Sequence, residues 1–391
     1  MHNIRKIYLS NFLTGLVFWY AIKQLFMIDI GLGATGIGIE IAFLAVFALL
    51  FDIPSGMLAD RWGRKNLLIT AAIALGIASG IYGMSGSLAI FLLGTVFYGI
   101  YFVSASGTYQ ALTYDTLYDL GKTELYSKIA GRSHGLFLIG VSVGNIVSGV
   151  IASSFSYRAA FFVTIVSCIL NVIVIATIRE PKHHRNEISE KFLSHVRTVL
   201  KAITRQTALA GMLVIVAMIA ALDVYFIDFG QLYMEHYGAG VAVIGVLWAV
   251  YALALAFGSF VAHYFAGRLW LAVALTSVPV FVIYLVDHPA TIAVIFVQAV
   301  GMKALFNRIE TRIQNATPSR VRATVLSVIS ALGRMVAIPV GIWLGMMISD
   351  GGIRAGLVVP TAAAFIILAA AAFVWRYNTS ISRRHSLSAR G

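Results

Sequence analysis

The sequence predicts an all-α polytopic membrane protein with twelve transmembrane helices, and three observations lead to that fold class. The 391 residues are 60% hydrophobic and 12% charged, whereas soluble domains average about 25% charged residues. The apolar residues form continuous runs of about 20 residues, the length of a membrane-spanning helix, and do not alternate as they would in a β-barrel. The basic residues gather in the short segments between these runs, as in polytopic membrane proteins.

Twelve helical spans fit the apolar runs, six on each side of a polar central segment. The first run follows a basic N-terminus, but it is longer than a signal-peptide core, and Lys23 and Gln24 stand where a cleavage site needs small residues. We therefore interpret it as a retained span. The predicted spans cover residues 6–29, 36–58, 67–85, 88–114, 131–154 and 157–178, then 206–234, 240–263, 268–286, 289–312, 321–348 and 353–376.

The central segment divides the chain into two six-helix bundles. The bundles cover residues 1–178 and 206–376, with a cytoplasmic linker at 179–205 and a polar, disordered cytoplasmic tail at 377–391. Within the linker, apolar residues three to four apart predict a short interfacial helix over residues 189–203.

A weak internal repeat supports the two halves. ADRWGRK at 59–65 aligns with AHYFAGR at 262–268, and both lie at the same end of the second span of their half. Repeated halves predict a pseudo-two-fold arrangement around a central cavity, which is typical of transporters.

The distribution of Lys and Arg orients the chain. The termini, the linker and the loops on one side carry nearly all the basic loop residues, whereas the opposite loops contain only Arg158 and Arg354. By the positive-inside rule, both termini are cytoplasmic, and we expect a multi-pass protein of the cytoplasmic (inner) membrane. The net charge of +13 therefore reflects topology. No nucleic-acid-binding motif accompanies it, so we expect no nucleic acid among the partners.

The most specific motif is the charged stretch GMLADRWGRKNLL at Gly56–Leu68, between the second and third apolar runs. It resembles the loop between spans two and three of the Major Facilitator Superfamily, written G-x-L-A-D-R-x-G-R-K-x-x-L, and each specified position matches. RATVLS at 322–327 and ALTYDTL at 111–117 are similar to segments of bacterial exporter-like members. The six-plus-six layout extends the resemblance to the whole chain. It implies the fold of that superfamily and transport by alternating access.

The resemblance implies that the motif acts as a breakable latch at the cytoplasmic ends of the spans. Asp60 would accept hydrogen bonds at the N-terminus of span eleven, near residues 319–322, and Arg64 would pair with Asp115 at the end of span four. Two glycines would let helices cross closely. We assign to this latch Gly56, Asp60, Arg61, Gly63, Arg64, Lys65 and Asp115.

Ionisable side chains inside a membrane are costly and usually mark functional sites. Lys23, Asp223, Lys303 and Arg334 lie well within the predicted spans, and Glu40 and Asp228 lie nearer the outer ends of spans two and seven. Spans one and seven border the central cavity in the resembled fold, so we expect an ion pair between Lys23 and Asp223, with a structural or a functional role equally open. We assign proton coupling to Asp223, Glu40 and Asp228.

Aromatic side chains enrich the same spans, as in cavities that bind amphipathic organic molecules. Helix packing and interfacial belts are the alternative explanation. The predicted substrate cavity contains Trp19, Tyr20, Lys23, Tyr98, Tyr101, Asp223, Lys303 and Arg334. Its formal charge is neutral to positive, which suggests an anionic or zwitterionic group on the substrate.

These features predict a secondary active transporter that exports a small amphipathic organic molecule in exchange for protons, as a monomer in the bilayer. Drug–proton antiporters of the superfamily usually carry an arginine in span four, which is absent here, and a proline in span five, where this chain has Asn145. Proton-coupled uptake of an anionic or zwitterionic solute therefore remains open, as does a non-transporting sensor.

Other classes of function lack their sequence signals. We find no P-loop and no catalytic or metal-ligand spacing, so we expect no enzyme activity, no cofactor and no metal. The single cysteine, Cys168, is predicted to be a small buried structural residue.

Overall fold

The computed structural model describes residues 2–181, 207–317 and 322–388, and the regular secondary structure in these ranges is helical, without a β-strand. Ten of the described helices are long and apolar enough to cross a membrane, and Leu269–Leu285 is a shorter apolar helix. Together with a first span that is divided into two pieces, they account for the twelve predicted spans.

The observed helix bounds follow the predicted spans in order. Spans one to six are His2–Gly15 with Lys23–Asp29, Gly33–Trp62, Arg64–Met84, Leu88–Ala105 with Thr108–Asp119, Tyr126–Ser154, and Tyr157–Ala176. Spans seven to twelve are Thr207–Asp223 with a π-helical turn at Val224–Phe229 and Gly230–His236, then Val241–Val261, Leu269–Leu285, Thr291–Asn315, Arg322–Gly351 and Val358–Ser388. Short 3-10 helices lie at Thr123–Leu125, Ala262–Phe265 and Ala355–Leu357.

Local sequence signals explain several of these boundaries. Ser156 begins span six as an N-cap, because its Oγ accepts a hydrogen bond from Ala159 N at 3.2 Å. Ser87 has the same role at the start of span four. Gly107 divides span four, because its φ of 72° is a left-handed conformation that glycine adopts without strain.

Two segments that were expected to be irregular are helical. The charged motif is not a loop: the helix of span two runs through it to Trp62, and only Gly63 separates it from span three. The tail at 377–391 is helical as far as Ser388, because no glycine or proline interrupts the helix after Pro360. The interfacial helix predicted over 189–203 lies outside the described residues.

Contacts between Cα atoms divide the chain into two compact units, Met1–Ile188 with Gln231–Leu253, and Ser189–Gly230 with Ala254–Gly391. In the first unit, span three packs against spans four and six, and span one packs against spans five and six. In the second unit, span nine packs against spans ten and twelve, and span seven packs against spans eleven and twelve. The same neighbour pattern recurs six spans later, as a repeated bundle requires. The exact bundle limits, 1–178 and 206–376, stay a prediction.

A buried apolar cluster joins five spans of the first unit at their predicted cytoplasmic ends. It holds the N-terminal helix of span one against spans three to six and places the hydroxyl of Tyr109 beside span one. The cluster consists of Ile4, Ile7, Leu68, Ala72, Tyr109, Leu112, Leu117, Ile129, Ile175 and Ile178.

Candidate functional site

Span one is interrupted in its middle, although the sequence predicts a continuous helix over residues 6–29. Residues 16–22 are not helical. Inside a membrane no water is available to form hydrogen bonds with backbone groups, so the protein must supply their partners. Three side chains supply them: Thr164 Oγ1 accepts from Phe18 N at 3.0 Å, Ser167 Oγ donates to Leu16 O at 2.7 Å, and Gln231 Nε2 donates to Tyr20 O at 2.8 Å.

Glycines let span five approach the interrupted part of span one. A Cβ added at Gly15 would overlap Phe137 O, and one added at Gly140 would overlap Phe12 O. A Cβ at Gly144 would likewise clash with the backbone of span one. Backbone atoms cannot rotate away as side-chain ends can, so only glycine fits at this crossing.

Trp19 lies at the centre of an aromatic group within the interruption. Its side chain is 1% exposed, and its Nε1 donates to Ser79 Oγ at 2.9 Å. Its ring stacks on Phe161 at 5.7 Å between centroids and meets the ring edges of Tyr20, Tyr82 and Tyr98 at 4.8, 5.4 and 5.3 Å. The aromatic group therefore holds the non-helical segment in place.

Lys23 forms a buried ion pair beside this group. Its Nζ donates to both carboxylate oxygens of Glu40, at 3.0 and 2.9 Å, and the two side chains are 9% and 1% exposed. The prediction that Lys23 pairs with Asp223 is therefore replaced by a pair within the first unit. Lys23 begins the second helix of span one and Glu40 lies two turns into span two, so the short connection between these spans brings them together.

Five residues of the predicted substrate cavity meet around this ion pair. The rings of Tyr20 and Tyr98 both lie against Trp19, and the centroids of the Tyr98 and Tyr101 rings are 5.7 Å apart. Lys23 Nζ lies 5.9 Å from the centroid of the Tyr98 ring. We call this group the span-one cluster, and it consists of Trp19, Tyr20, Lys23, Glu40, Tyr98 and Tyr101.

The second unit places an acid and a lysine within electrostatic reach of each other. Asp223 ends the first helix of span seven, and the π-helical turn Val224–Phe229 follows it. Lys303 in span ten acts electrostatically on Asp223. Asp228, within the π-helical turn, and Arg334, in span eleven, also have interaction partners. Single π-helical turns are frequent at functional sites, because they redirect the side chains of an otherwise regular helix.

The charged motif contains the expected ion pair between spans three and four. Arg64 Nε lies 2.9 Å from Asp115 Oδ2. Lys65 Nζ donates to a backbone carbonyl of span six at 2.6 Å. The start of span three is thus tied to the ends of two neighbours. The other expected contact, between Asp60 and the start of span eleven, concerns a side chain and residues 318–321 that lie outside the described residues.

The two motif glycines differ from the prediction that they allow close helix crossing. No described heavy atom lies within 4 Å of the Cβ position at Gly56, so the described residues show no close helix crossing there. Gly63 has a φ of 92° and forms the whole connection between two helices. Glu180 then caps span three, because its carboxylate accepts from Arg64 N at 2.8 Å and from Lys65 N at 2.9 Å.

Several site residues escaped the sequence prediction, and most of them lie on span six. Thr164, Ser167 and Asn171 occupy one face of that helix at spacings of three and four residues, in a run that is otherwise apolar. Polar residues on one face of a membrane helix are a usable signal, because they need partners inside the protein. Cys168, in the same run, is buried as predicted.

With this geometry described, the chain can be compared with known proteins. The sequence profile of the Major Facilitator Superfamily matches residues 7–286, which is well over half of the chain. The chain belongs to this superfamily. It is a multi-pass membrane protein, and the predicted twelve-helix fold of the superfamily is confirmed.

Two relatives within the superfamily carry names that refer to drug resistance. The multidrug resistance protein MdtG of Escherichia fergusonii is 26% identical over 211 residues, which cover 51% of this chain and 48% of MdtG. The multi-drug resistance efflux pump PmrA of Streptococcus pneumoniae is 25% identical over 169 residues, which cover 41% of this chain and 40% of PmrA. The matches therefore span about half the length of these relatives, or less.

Solved structures of other members share the fold over nearly the whole chain. The nucleoside transporter NupG aligns with a TM-score of 0.79 at 12% identity, over 96% of this chain and 99% of NupG. A bacterial homologue of the lysosomal transporter Spinster, in an inward-facing and occupied conformation, aligns with a TM-score of 0.72 at 17% identity, over 96% of each chain. At these identities the likeness establishes the fold of the superfamily. The substrate has to be inferred from the residues of the site.

Proposed function

We propose that this transporter exports small amphipathic organic molecules in exchange for protons, as a monomer with both termini on the cytoplasmic side of the inner membrane. The observation that carries the proposal is the buried ion pair of Lys23 and Glu40 inside the span-one cluster. A carboxylate inside a membrane can lose its proton only where a partner stabilises its charge, and Glu40 has such a partner. The name of PmrA, a multi-drug resistance efflux pump, supports the choice of export.

The ion pair links the charge of the substrate to the direction of transport. A cationic group on the substrate competes with a proton for Glu40, so the two bind alternately and move in opposite directions. An anionic group instead pairs with Lys23 once Glu40 is protonated, so solute and proton bind together and move in the same direction. Lys23 already neutralises Glu40 in the first unit, and we therefore favour a cationic or zwitterionic amphipath.

A second proton site in our proposal is Asp223, with Asp228 close to it in the chain. Asp223 is half-buried, and the charge of Lys303 acts on it. The same competition between a proton and a cation applies to this carboxylate. Separate substitutions at Glu40 and Asp223 show which of the two acids binds the transported proton.

The charged motif has the role of a latch in this proposal. The ion pair between Arg64 and Asp115 is partly exposed, with side chains 18% and 22% exposed, so we expect it to contribute only about 0.5–1 kcal/mol. Such a contact can form and break during each transport cycle. Asp115→Asn should leave the melting temperature nearly unchanged and change the transport rate. An unchanged rate in a folded Asp115→Asn protein would remove the latch from the proposal.

The test of the proposed function is transport by purified protein in proteoliposomes, with the fluorescent cation ethidium as the probe. Vesicles with an acidic lumen should accumulate ethidium through the wild-type protein, and collapse of the pH gradient should release it. Glu40→Gln should abolish accumulation, because its side chain cannot exchange a proton. Glu124→Gln is the matched control, since Glu124 is exposed in the short 3-10 helix between spans four and five.

Other results decide between the alternative functions. Accumulation of an anionic dye such as carboxyfluorescein in vesicles with an alkaline lumen would identify a proton symporter and contradict export. A tightly bound ligand that is never transported in either gradient would identify a non-transporting sensor.

A further inference from the structure

Two arginines lie on the predicted outer side of the protein, where the positive-inside rule disfavours basic residues. Arg158 and Arg354 are the only basic residues in the predicted loops of that side. They occupy equivalent places in the two halves, because each is the second residue of the last predicted span of its half, at 157–178 and 353–376. A basic residue at the same place in both halves, against the topology rule, indicates a shared role.

In the first half, Arg158 binds the end of span three. Its Nη1 donates to Gly83 O at 2.6 Å, in the last turn of the helix Arg64–Met84. The last carbonyl groups of a helix have no partner within it and lie at the negative end of its dipole, so a cation is stabilising there. Arg158 therefore caps span three from the start of span six.

The guanidinium group of Arg158 also contacts span one. It lies 5.3 Å from the centroid of the Phe26 ring, a distance at which cation–π attraction acts. Phe26 is fully buried in the helix Lys23–Asp29, which follows the interruption of span one. Its ring also packs against Tyr157 and Phe161 of span six. We call the contacts of Arg158 with the end of span three and with Phe26 the first outer clasp.

Arg354 repeats the cap in the second half. Its Nη2 donates to Tyr284 O at 3.0 Å and its Nη1 donates to Val286 O at 3.4 Å, at the end of span nine. Its Nη1 also lies 3.3 Å from Asp287 Oδ1. Arg354 thus caps the third span of its half from the start of the last span, as Arg158 does.

The interrupted span of the second half is held at the same place. The hydroxyl of Tyr225, in the π-helical turn of span seven, donates to Ile353 O at 3.1 Å, and Tyr225 is fully buried. Ile353 directly precedes Arg354 in the chain, so two adjacent residues bind spans seven and nine. We call the contacts of Ile353 and Arg354 with these two spans the second outer clasp.

We propose that Arg158 and Arg354 are positioning residues, and that each outer clasp fixes the interrupted span of its half to the third and the last span. The anchored residues, Phe26 and Tyr225, lie three and two residues after the charged residue of their span. Each clasp therefore determines where that charged side chain lies. The inference goes beyond the proposed function, because it concerns the placement of spans one and seven whatever the protein transports.

The experiment measures hydrogen exchange by mass spectrometry on the full-length protein in detergent, without substrate. We expect Arg158→Gln to accelerate exchange about tenfold in the peptide that contains Lys23–Asp29, because the loss of the clasp allows that helix to open locally. The helix His2–Gly15, on the other side of the interruption, should exchange at the wild-type rate. Arg158→Lys should restore slow exchange, because an ammonium group also binds carbonyl groups and aromatic faces.

The two clasps serve as controls for each other. Arg354→Gln should accelerate exchange in the peptide that contains Val224–Phe229 and leave exchange in Lys23–Asp29 unchanged. Arg158→Gln should have the opposite effect on the two peptides. Asp287, a partner of Arg354, is 66% exposed, so the second clasp lies close to the surface and Arg354→Gln tests the proposal even if Arg158→Gln does not fold.

Two results would overturn the clasps. One is wild-type exchange of the anchored peptide in a folded Arg158→Gln or Arg354→Gln protein. The other is an equal acceleration throughout the unit that carries the substitution, because it would show a general loss of stability in place of a local anchor.

Transport by the same variants separates the clasps from the proposed function. If the ion pair of Lys23 and Glu40 binds the substrate as proposed, Arg158→Gln should raise the KM for ethidium severalfold and change the maximal rate little, because the loosened helix carries Lys23. Local acceleration of exchange together with a wild-type protein that does not transport ethidium would support the clasps and contradict the proposed function.

Discussion

Spans one and seven are equivalent members of the two halves, and both are interrupted, but in different ways. Span one loses its helix between Gly15 and Lys23, where side chains from other segments replace the backbone hydrogen bonds. Span seven continues through a π-helical turn at Val224–Phe229. Each interruption adjoins a charged residue: Lys23 begins the helix after the first, and Asp223 ends the helix before the second.

The difference shows two ways to hold an ionisable group inside a membrane. An opened helix leaves N–H and C=O groups that must find partners, so the region around it becomes densely hydrogen-bonded and the Lys23–Glu40 contact is direct. A π-helical turn keeps the backbone continuous and requires less support. Asp223 and Lys303 accordingly interact through electrostatics while both remain half-buried. We therefore expect span one to be the more sensitive of the two to substitution.

The largest expected difference is in the free energy of unfolding after substitution of Glu40 or of Asp223. Glu40→Leu leaves Lys23 as an unpaired buried cation and should lower the free energy of unfolding by about 3–5 kcal/mol. Asp223→Leu leaves Lys303 half-buried with its Nζ 5.0 Å from the centroid of the Phe306 ring, so we expect a loss of about 1 kcal/mol. Denaturant unfolding of the purified variants in detergent measures both losses.

A double variant is the control for this comparison. Lys23→Met combined with Glu40→Leu should recover most of the stability lost in Glu40→Leu, because replacing a whole buried ion pair with apolar residues is often close to neutral. Equal losses for Glu40→Leu and Asp223→Leu would show that the two acids are held equally tightly, and would remove the distinction between the spans.

A smaller difference is expected for glycines that pack beside the two spans. Gly140→Ala places a Cβ against Phe12 O of span one, and the backbone must shift, so we expect a loss of about 1–3 kcal/mol. In Gly211→Ala of span seven, the nearest atom is Val374 Cγ2 at 2.6 Å, the end of a side chain that can rotate, so the loss should be smaller. Melting temperatures of the two variants give the comparison. A greater loss for Gly211→Ala would contradict it.

The smallest expected effect tests a single hydrogen bond of the opened helix. Thr164→Val removes the acceptor of Phe18 N and should cost about 1–2 kcal/mol. Thr276→Val in span nine is the matched control, because Thr276 is equally buried but its Oγ1 donates only to Ala272 O of its own helix. Hydrogen exchange at the Phe18 amide should accelerate in Thr164→Val. Unchanged exchange there would mean that Thr164 does not support the opened segment.

Features that depend on stretches of adjacent residues could be predicted from the sequence. The twelve spans follow from the length of the apolar runs, because a helix must cover the hydrocarbon layer. The motif at Gly56–Leu68 identified the superfamily and led to Asp115 as the partner of Arg64. Trp19, Tyr20, Lys23, Tyr98 and Tyr101 were placed in one site because aromatic and charged residues are unusual inside apolar runs, and they do lie together.

Pairings between distant residues could not be predicted in this way. The sequence shows that Lys23 needs an acidic partner, but it does not distinguish Glu40 from Asp223 as that partner. Glu180 caps span three only because the end of span six lies against it. No proline marks the break in span one in the sequence. The break depends on glycine crossings with span five and on hydroxyl groups of span six.

The sequence by itself therefore determined that the protein spans a membrane, how many spans it has, which superfamily it belongs to and which residues cannot face lipid. Hydrophobic length and composition are properties of the chain that need no knowledge of neighbours. Only the tertiary structure decided which acid neutralises Lys23 and where span one opens. Hydrogen bonds and ion pairs act over a few ångströms, so they are settled by which helices pack together.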